Sequence, residues 1–483
     1  MRKFLLFVTF LSISMLTSTM SAQAPTTQWS ANAVTTWYNT TDVTFNLTTP
    51  NEFAGLATLV LAGNNFAGKT VNLSNDIDLA AHLWTPIGKS VAISFGGTFN
   101  GNDHVISNMY TVNLTTSFVG LFGQVTGATI KNLVVENPTV ISKDDAGCLI
   151  GGTFGNSLIL NCHVTGGSIS GTGNNIGGLV GSHLGSTISK SSANTVVSGT
   201  NQIGGLVGSP YNSATIEECF TMGSVSGVYN VGGIAGYSAF AFPVNGPVTI
   251  NNCYSRSILT ATEGPAGGIY GGSSAMLFIK NSYATGLITS AGNVGGIIGA
   301  VGNITATNDY WDMETSGASV PVGEFMGATV PVDAIGKTTA EMKTAAMVDL
   351  LNLNQATTPW TIDATKNDGY PILGSVVLNT NSFATTSEIS VYPTLVIDMI
   401  TVSTKSNLVE YSLYSVFGSK VKSGLLSGTQ STIQMENIAG GIYLLSVNTD
   451  LGSTTQKIVK KYFFLVLRKR KRLLPSSLFL FKL

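Results

Sequence analysis

Carboxylates and histidines are the residues with which this chain could do acid–base or metal chemistry, and they are sparse: 25 Asp and Glu and 4 His in 483 residues. In the glycine-rich middle the candidates are Asp144-Asp145, Glu217-Glu218, Asp309, Asp312 and Glu314. Cleaving a glycosidic bond takes two carboxylates roughly 5–10 Å apart across a substrate groove. Asp309 and Asp312 are the weak catalytic candidates on that criterion; the competing reading is that they cap turns. His82, His104, His163 and His183 form no His-Glu-x-x-His pair, and there is no Gly-x-Ser-x-Gly elbow or phosphate loop. Asn75, Asp76 and Asp78 make a small acidic cluster, but calcium needs several converging oxygens and these residues read as the flank of an early strand. Cys148, Cys162, Cys219 and Cys253 lack the close pairing of a zinc site. No metal and no cofactor is therefore expected. For binding rather than catalysis, Tyr211, Tyr229, Tyr237, Tyr254, Tyr270 and Tyr283 are spread through the same region, where exposed tyrosines suit sugar or protein contacts. Tyr254 and Tyr283 occupy equivalent positions and could equally stack on each other.

Those residues sit in a repeat. Ile176-Gly177-Gly178-Leu179-Val180-Gly181 returns as Ile203-Gly204-Gly205-Leu206-Val207-Gly208, and again around Gly232-Gly233-Ile234, Gly267-Gly268-Ile269 and Gly295-Gly296-Ile297. Degenerate copies stand at Val119–Gly123 and Ala146–Gly151. The doublets fall 27, 28, 35 and 28 residues apart, and the long interval holds Ala239–Val248 with Pro243 and Pro247, a loop swollen out of one unit. A second phrase recurs between them, beginning at Ile159, Ile188, Ile216, Ile250 and Ile279. Each unit offers two or three short strands, and one unit cannot bury its own apolar side chains. Units of this period stack into a solenoid in which like residues form columns about 4.8 Å apart. The expected fold is all-β: a right-handed parallel β-helix followed by a small C-terminal β-sandwich. Leu179, Leu206, Ile234, Ile269 and Ile297 form one interior column and the isoleucines of the second phrase another. Strand alternation places Val180, Val207, Ala235, Tyr270 and Ile298 on the opposite face from the leucines. Cys162, Ser191, Cys219, Cys253 and Ser282 share a column of small side chains, where Cys219 and Cys253 come near enough for a bridge. Asn161, Asn252 and Asn281 could form an amide ladder at a corner.

Composition supports an exported, extended chain. Only 10% of residues are charged and 55 are glycine. Mean hydropathy is +0.29, yet no interior stretch reaches the ~18 uncharged apolar residues of a spanning helix. Arg2-Lys3, the apolar run Phe4–Leu16 and Ser21-Ala22-Gln23-Ala24 read as a signal peptide over 1–24; the apolar run is short for a membrane anchor. Eight of the 24 basic residues lie in that leader and in the tail after 461. The remainder has 16 basic residues against 25 acidic, which argues against nucleic acid as a partner.

Two resemblances follow from these residues. The Gly-Gly-Leu-Val-Gly phrase resembles the GLUG motif of bacterial surface proteins. The flanks are similar to the segments around such arrays, from Glu52–Ala57 and Trp84–Gly88 before it to Tyr310-Trp311-Asp312, Gly336–Lys343 and Asn367–Leu373 after it. At the end, Ser390–Thr394, Tyr411–Gly418, Ile438–Tyr443 and Thr455–Lys460 resemble the C-terminal sorting domain of type IX secretion cargo, a small β-sandwich read by the outer-membrane export machine of Bacteroidota. Alternating residues such as Ile397, Met399, Thr401 and Tyr443, Leu445, Val447 agree with strands there. The expected organisation is a signal peptide 1–24, N-terminal β-helix coils and cap 25–118, a GLUG-repeat β-helix 119–317, its closing segment 318–377, a linker 378–386, a sorting sandwich 387–461 and a basic, apolar tail 462–483 of doubtful role. The resemblance implies a protein exported through the periplasm to the outer-membrane surface or the medium, with the type IX machinery as partner. The residues favour a non-enzymatic, adhesin-like monomer binding a glycan or protein. The alternative is a polysaccharide lyase or glycoside hydrolase on the same scaffold.

Overall fold

The computed structural model describes residues 24–238, 246–326, 332–374, 390–392, 395–404, 407–415, 420–449 and 452–461. Residues 1–23 of the stretch read as a signal peptide, the centre of the swollen loop with Pro243, the expected linker 378–386 and the basic tail lie outside the described residues. The chain divides into two compact units, Met1–Val377 and Leu378–Leu483.

The first unit is a parallel β-helix. Helix α1 (Pro50–Leu61) begins where Thr49 and Glu52 form a reciprocal capping box with Pro50 at the first position, a start that satisfies the open N–H groups of the first turn. Its buried face, Phe53, Leu56 and Val60, packs on the first coils, with Phe53 stacked on Trp84 at 4.8 Å between ring centroids. An interior column then runs from Phe45 through Val71, Phe99, Ile130, Ile159, Ile188, Ile216 and Ile250 to Ile279, each paired in parallel register with the next. All are buried. Burying one such side chain contributes about 1.5–3 kcal/mol, so stability accumulates with every added coil.

The strand count varies from coil to coil: three in the coil of Ala146–Gly147, Ile150–Phe154 and Leu158–Gly171, and four in the next, through Asn174–Gly177, Val180–Leu184, Thr187–Ser189 and Ser192–Ser198. The Gly-Gly strands form their own six-stranded parallel sheet, with Gly177, Gly204, Gly232, Gly267 and Gly295 in direct register. Glycine is needed here for close approach, not for a left-handed backbone. A Cβ on Gly204 would lie 1.9 Å from the Val207 carbonyl oxygen, and one on Gly205 2.1 Å from that of Gly233. The Leu column and the Val column do not face opposite ways. Leu179 and Val180 are both fully buried in the same core, as are Leu206 and Val207, because the chain bends at the Gly-Leu step and strand alternation does not carry across it.

The corner after the second phrase is left-handed in successive coils, at Asn132, Asn161, Lys190, Glu218, Asn252, Asn281 and Asn308, with φ between 49° and 62°. Asparagine tolerates this region because its short amide bonds locally. The expected amide ladder is present in pieces: Asn161 Nδ2 donates to Asn132 Oδ1 at 3.1 Å and Asn308 Nδ2 to Asn281 Oδ1 at 2.9 Å. Asn252 leaves the ladder and bonds to Gln355 and Trp360 of the closing segment.

The second unit has a three-stranded antiparallel sheet (Ser390–Tyr392, Met399–Ser403, Gln430–Gln434) and a five-stranded one, mostly antiparallel (Leu395–Val396, Leu408–Ser415, Lys420–Leu425, Gly441–Thr449, Gly452–Lys460). They enclose Ile400, Val402, Leu413, Ile433, Met435, Leu445, Val447 and Ile458. In Met399–Ser403 the inward set is Ile400 and Val402. Ile397 and Met399 are exposed, so the apolar alternation read there is one residue out of phase with the burial. Among the described residues no helix is long and apolar enough to cross a membrane.

Candidate functional site

Asp309 and Asp312 lie on one short strand, Asp309–Asp312, and both are fully buried. Asp309 continues the Cys-Ser column. Along that column the N–H of one coil meets the side chain of the next: Cys162 N–H donates to Ser191 Oγ at 3.1 Å, Cys253 N–H to Ser282 Oγ at 3.1 Å, and Ser282 N–H to Asp309 Oδ1 at 3.0 Å. Asp309 Oδ2 has no hydrogen-bond partner among the described residues. Burial, with Asp333 adding to it, holds the carboxyl well above the usual carboxylate range. Asp312 does different work. Its Oδ1 caps helix α2 (Met313–Ser316) by accepting from the N–H groups of Glu314 and Thr315 at 2.9 and 3.1 Å. Its Oδ2 accepts from Thr339 Oγ1 at 2.8 Å and Tyr370 OH at 2.7 Å. Neither carboxylate is exposed, and each has a defined structural partner.

Several of the other acidic groups are engaged at turns, and Glu314 Oε2 accepts from the Thr339 N–H at 2.8 Å. Asp76 Oδ1 meets His104 Nδ1 at 3.0 Å and accepts from Val105 N–H at 2.9 Å, while Asp78 Oδ1 accepts from Ala80 N–H and Asn108 Nδ2, both at 3.0 Å. Asp144 and Asp145 accept from Asn174 N–H and Asn175 Nδ2, each at 2.7 Å, and Glu218 lies 4.0 Å from Lys190. Among the described residues no group of three or more His, Cys, Asp or Glu could hold a metal ion.

Two histidines are interior. His183 sits between Thr153 Oγ1 at 2.8 Å and the Thr215 carbonyl at 3.4 Å, and His163 between Ser192 Oγ at 2.8 Å and Asn161 Oδ1 at 3.1 Å. Burial pushes both imidazoles down to about 4. The four cysteines are free and buried; burial pushes the Cys148 and Cys162 thiols up to about 12, and raises Cys219 with the neighbouring Cys253 adding to it. Cys219 and Cys253 each donate to the carbonyl two residues back, at 3.1 and 3.3 Å.

Three tyrosines offered for binding are buried. Tyr270 is interior, and Tyr254 and Tyr283 stack with Phe220 on the outside of the helix at 4.9 and 5.1 Å with planes within 4°. The closing segment covers this stack. Helices α3 (Thr339–Met342) and α4 (Ala345–Leu351), with Trp360, Tyr370 and Leu373, complete a second apolar cluster over it. Polar pins hold the segment down: Trp360 Nε1 donates to Asn252 Oδ1 at 2.9 Å, Tyr283 OH to the Pro371 carbonyl at 2.6 Å, and Arg256 to Asn367 Oδ1 at 2.9 Å and to Asp368. Arg256 and Lys343 also lie over the Tyr370 ring, 5.2 and 4.5 Å from its centroid. The capping box of Thr338 and Glu341 was legible as Thr-x-x-Glu; the pairing of Trp360 with Asn252 crosses 108 residues and had no sequence signal. Tyr229 is the exposed member of the set and its hydroxyl donates to Glu263. Tyr211 and Tyr237 are half-buried.

Two outer sheet faces stay open; one carries Lys131, Glu217 and Lys280 in a single column, and the other is uncharged. In register, Tyr110, Thr139, Ser168, Val196, Ser224 and Ile258 form one column, and Val112, Ile141, Ser170, Ser198, Ser226, Thr260 and Thr289 form a second two residues along. Leu287, one residue before Ile288, extends the first. Between them the inward residues Val140, Ile169, Val197, Val225, Leu259 and Ile288 enter the core. Val196, Ile258 and Leu287 are 50%, 53% and 49% exposed. No charged residue stands in either column.

Residues 390–461 match the family model described as a secretion system C-terminal sorting domain. Over 160 residues the chain is 32% identical to halomucin of Haloquadratum walsbyi, a stretch that is 30% of this chain and 2% of that protein; the chain spans about 2% of the length of this curated relative. A solved structure described as "a putative immunoglobulin A1 protease from Bacteroides ovatus" is 20% identical with a TM-score of 0.43, over 68% of this chain and 92% of that one. The C-terminal unit is thus a type IX sorting domain, and the chain is cargo for export to the cell surface or the medium.

Proposed function

We propose that this protein is a non-enzymatic, exported surface protein whose β-helix binds glycan or protein ligands in the manner of an adhesin. The observation that carries the reading is a sorting domain joined to a long solenoid with an open, uncharged outer face. The proposed boundaries stay as read from the sequence: array 119–317, closing segment 318–377 and sorting unit 387–461. The carboxylates that would serve a lyase or hydrolase, Asp309 and Asp312, are buried and engaged in the column and the helix cap, which supports binding over cleavage. The test is a panel of glycans and proteins presented to the purified full-length protein and to its Asp309→Asn and Asp312→Asn variants, with folding checked by circular dichroism. Binding without turnover, unchanged in folded variants, supports the proposal. Glycan turnover that either substitution abolishes in a folded protein selects the polysaccharide-cleaving alternative.

A further inference from the structure

We infer that the two-column outer strip running from Thr139 to Thr289 is the ligand face, and that its ligand is a neutral, linear polysaccharide lying along the solenoid axis. This rests on the binding reading above and narrows it to one face and one ligand class.

The chemistry of the strip is uniform in kind. Beside the exposed aliphatic groups of Val196, Ile258 and Leu287 stand the hydroxyls of Ser198, Ser226 and Thr260. Ser198 and Ser226 donate to the Ile169 and Val197 carbonyls of the preceding coil, both at 3.4 Å, and keep their oxygen lone pairs free to accept from a ligand. A neutral sugar chain presents the same two surfaces, hydroxyl edges and apolar C–H faces. Without a lysine, arginine, aspartate or glutamate in either column, nothing on the strip attracts an anionic polymer or a phosphate, and nothing repels an uncharged one. Shape narrows the occupant further. Five steps of about 4.8 Å between its six coils put the end residues of the strip roughly 24 Å apart, and adjacent outward residues on a strand lie about 7 Å apart, so it is only two side chains wide. A strip of roughly 300 Å² falls well short of the ~800 Å² per partner of a stable protein interface, which disfavours a second copy or a globular partner. A chain molecule fits it, because each coil repeats the same small set of contacts. Affinity then grows with the number of coils engaged rather than from one deep pocket.

Affinity electrophoresis of the full-length protein through gels containing hydroxyethylcellulose, galactomannan or polygalacturonate tests this. Retardation by at least one of the two neutral polymers and not by polygalacturonate is expected, little changed between 50 and 500 mM salt (roughly, a range over which screening removes most exposed charge attraction). Ile258→Lys and Ser198→Lys should each weaken it at least ~10-fold with the unfolding midpoint unchanged, while the same charge placed off the strip, Met276→Lys, should not. Short oligosaccharides of the same sugar should bind far more weakly than the polymer. Retardation that survives both lysine substitutions overturns the face while leaving the binding reading intact. Preference for polygalacturonate overturns the neutral ligand class. A concentration-dependent dimer broken by Ile258→Lys gives the strip to a second copy and also overturns the inference. Binding of a protein but of neither neutral polymer overturns the inference alone, and binding to nothing in either panel overturns both.

Discussion

Asp309 is a weak catalytic candidate by sequence, with turn capping as the competing reading, and the structure gives it a place in a buried column. It stands at the end of a column of serines and cysteines, takes the N–H of Ser282, and leaves its second oxygen without a partner among the described residues in a fully buried site. A buried polar atom without a partner is costly. Asp309→Ser should therefore raise the stability at pH 7 by roughly 1–3 kcal/mol. The carboxyl titrates above its unfolded value, so its contribution to stability is fully present at acid pH and is lost as pH rises through the folded value. The advantage of serine should accordingly shrink toward pH 4, which unfolding midpoints across pH would show; equal midpoints at every pH would contradict this account. His163 and His183 act in the opposite sense. Their folded values are near 4, below the ordinary 6.5, so between those limits the unfolded chain takes up protons that the folded chain refuses. Stability should fall as pH drops through that window, by up to about 3 kcal/mol for each histidine. A His183→Gln variant should show a shallower loss than the parent in the same titration.

At the scale of the element, the recurring Gly-Gly phrase and the left-handed corner are the two devices that set the coil. Backbone from the next coil approaches Gly205 so closely that an added methyl would overlap the Gly233 carbonyl. Gly205→Ala should destabilise the array by about 3 kcal/mol or more, at the upper end of overpacking costs, because the obstacle is backbone on a neighbouring rung. Thermal unfolding checks it, and a loss under about 0.5 kcal/mol, the range of a surface change, would be inconsistent with the close approach. The corner makes a contrary prediction. Lys190 and Glu218 hold φ of 51° and 49° where the other coils use asparagine. Their ion pair, at 4.0 Å and partly exposed, contributes little against the left-handed cost of about 1–2 kcal/mol per residue. The double substitution Lys190→Asn with Glu218→Asn should raise stability by about 1 kcal/mol, measured by denaturant unfolding, since asparagine eases the backbone and can bond along the ladder. A drop in midpoint would mean that the ion pair matters more than the backbone.

For the whole molecule, one chain carries two units with separate cores. The sorting domain is matched over residues 390–461, and deleting that stretch should keep the protein in the cell, detected by fractionation and immunoblotting against the full-length chain. Unchanged appearance of the truncated protein at the surface or in the medium would remove the domain's role in export. The solenoid itself is stabilised by length, and its outer aromatic stack is closed by the segment from Thr338 to Leu373. The tyrosines proposed as a binding surface are therefore partly consumed by the protein's own closing segment.

The repeat alone determined the architecture. Glycine doublets and isoleucine positions at a fixed period dictate stacking, because no single unit can bury its apolar residues and identical units supply each other's missing neighbours. The same pattern could not show how many strands a coil holds. It also could not show that Leu179 and Val180 share one interior, because the bend between them lies in backbone angles that an apolar alternation does not encode. Nor could it show which outer positions are covered. Trp360 meets Asn252 and Tyr370 meets Asp312 across long separations in sequence, and only the folded path brings them together. That path decided that Asp309 and Asp312 are structural neighbours of the core, and that the uncharged strip of serine, threonine and aliphatic side chains is left facing solvent.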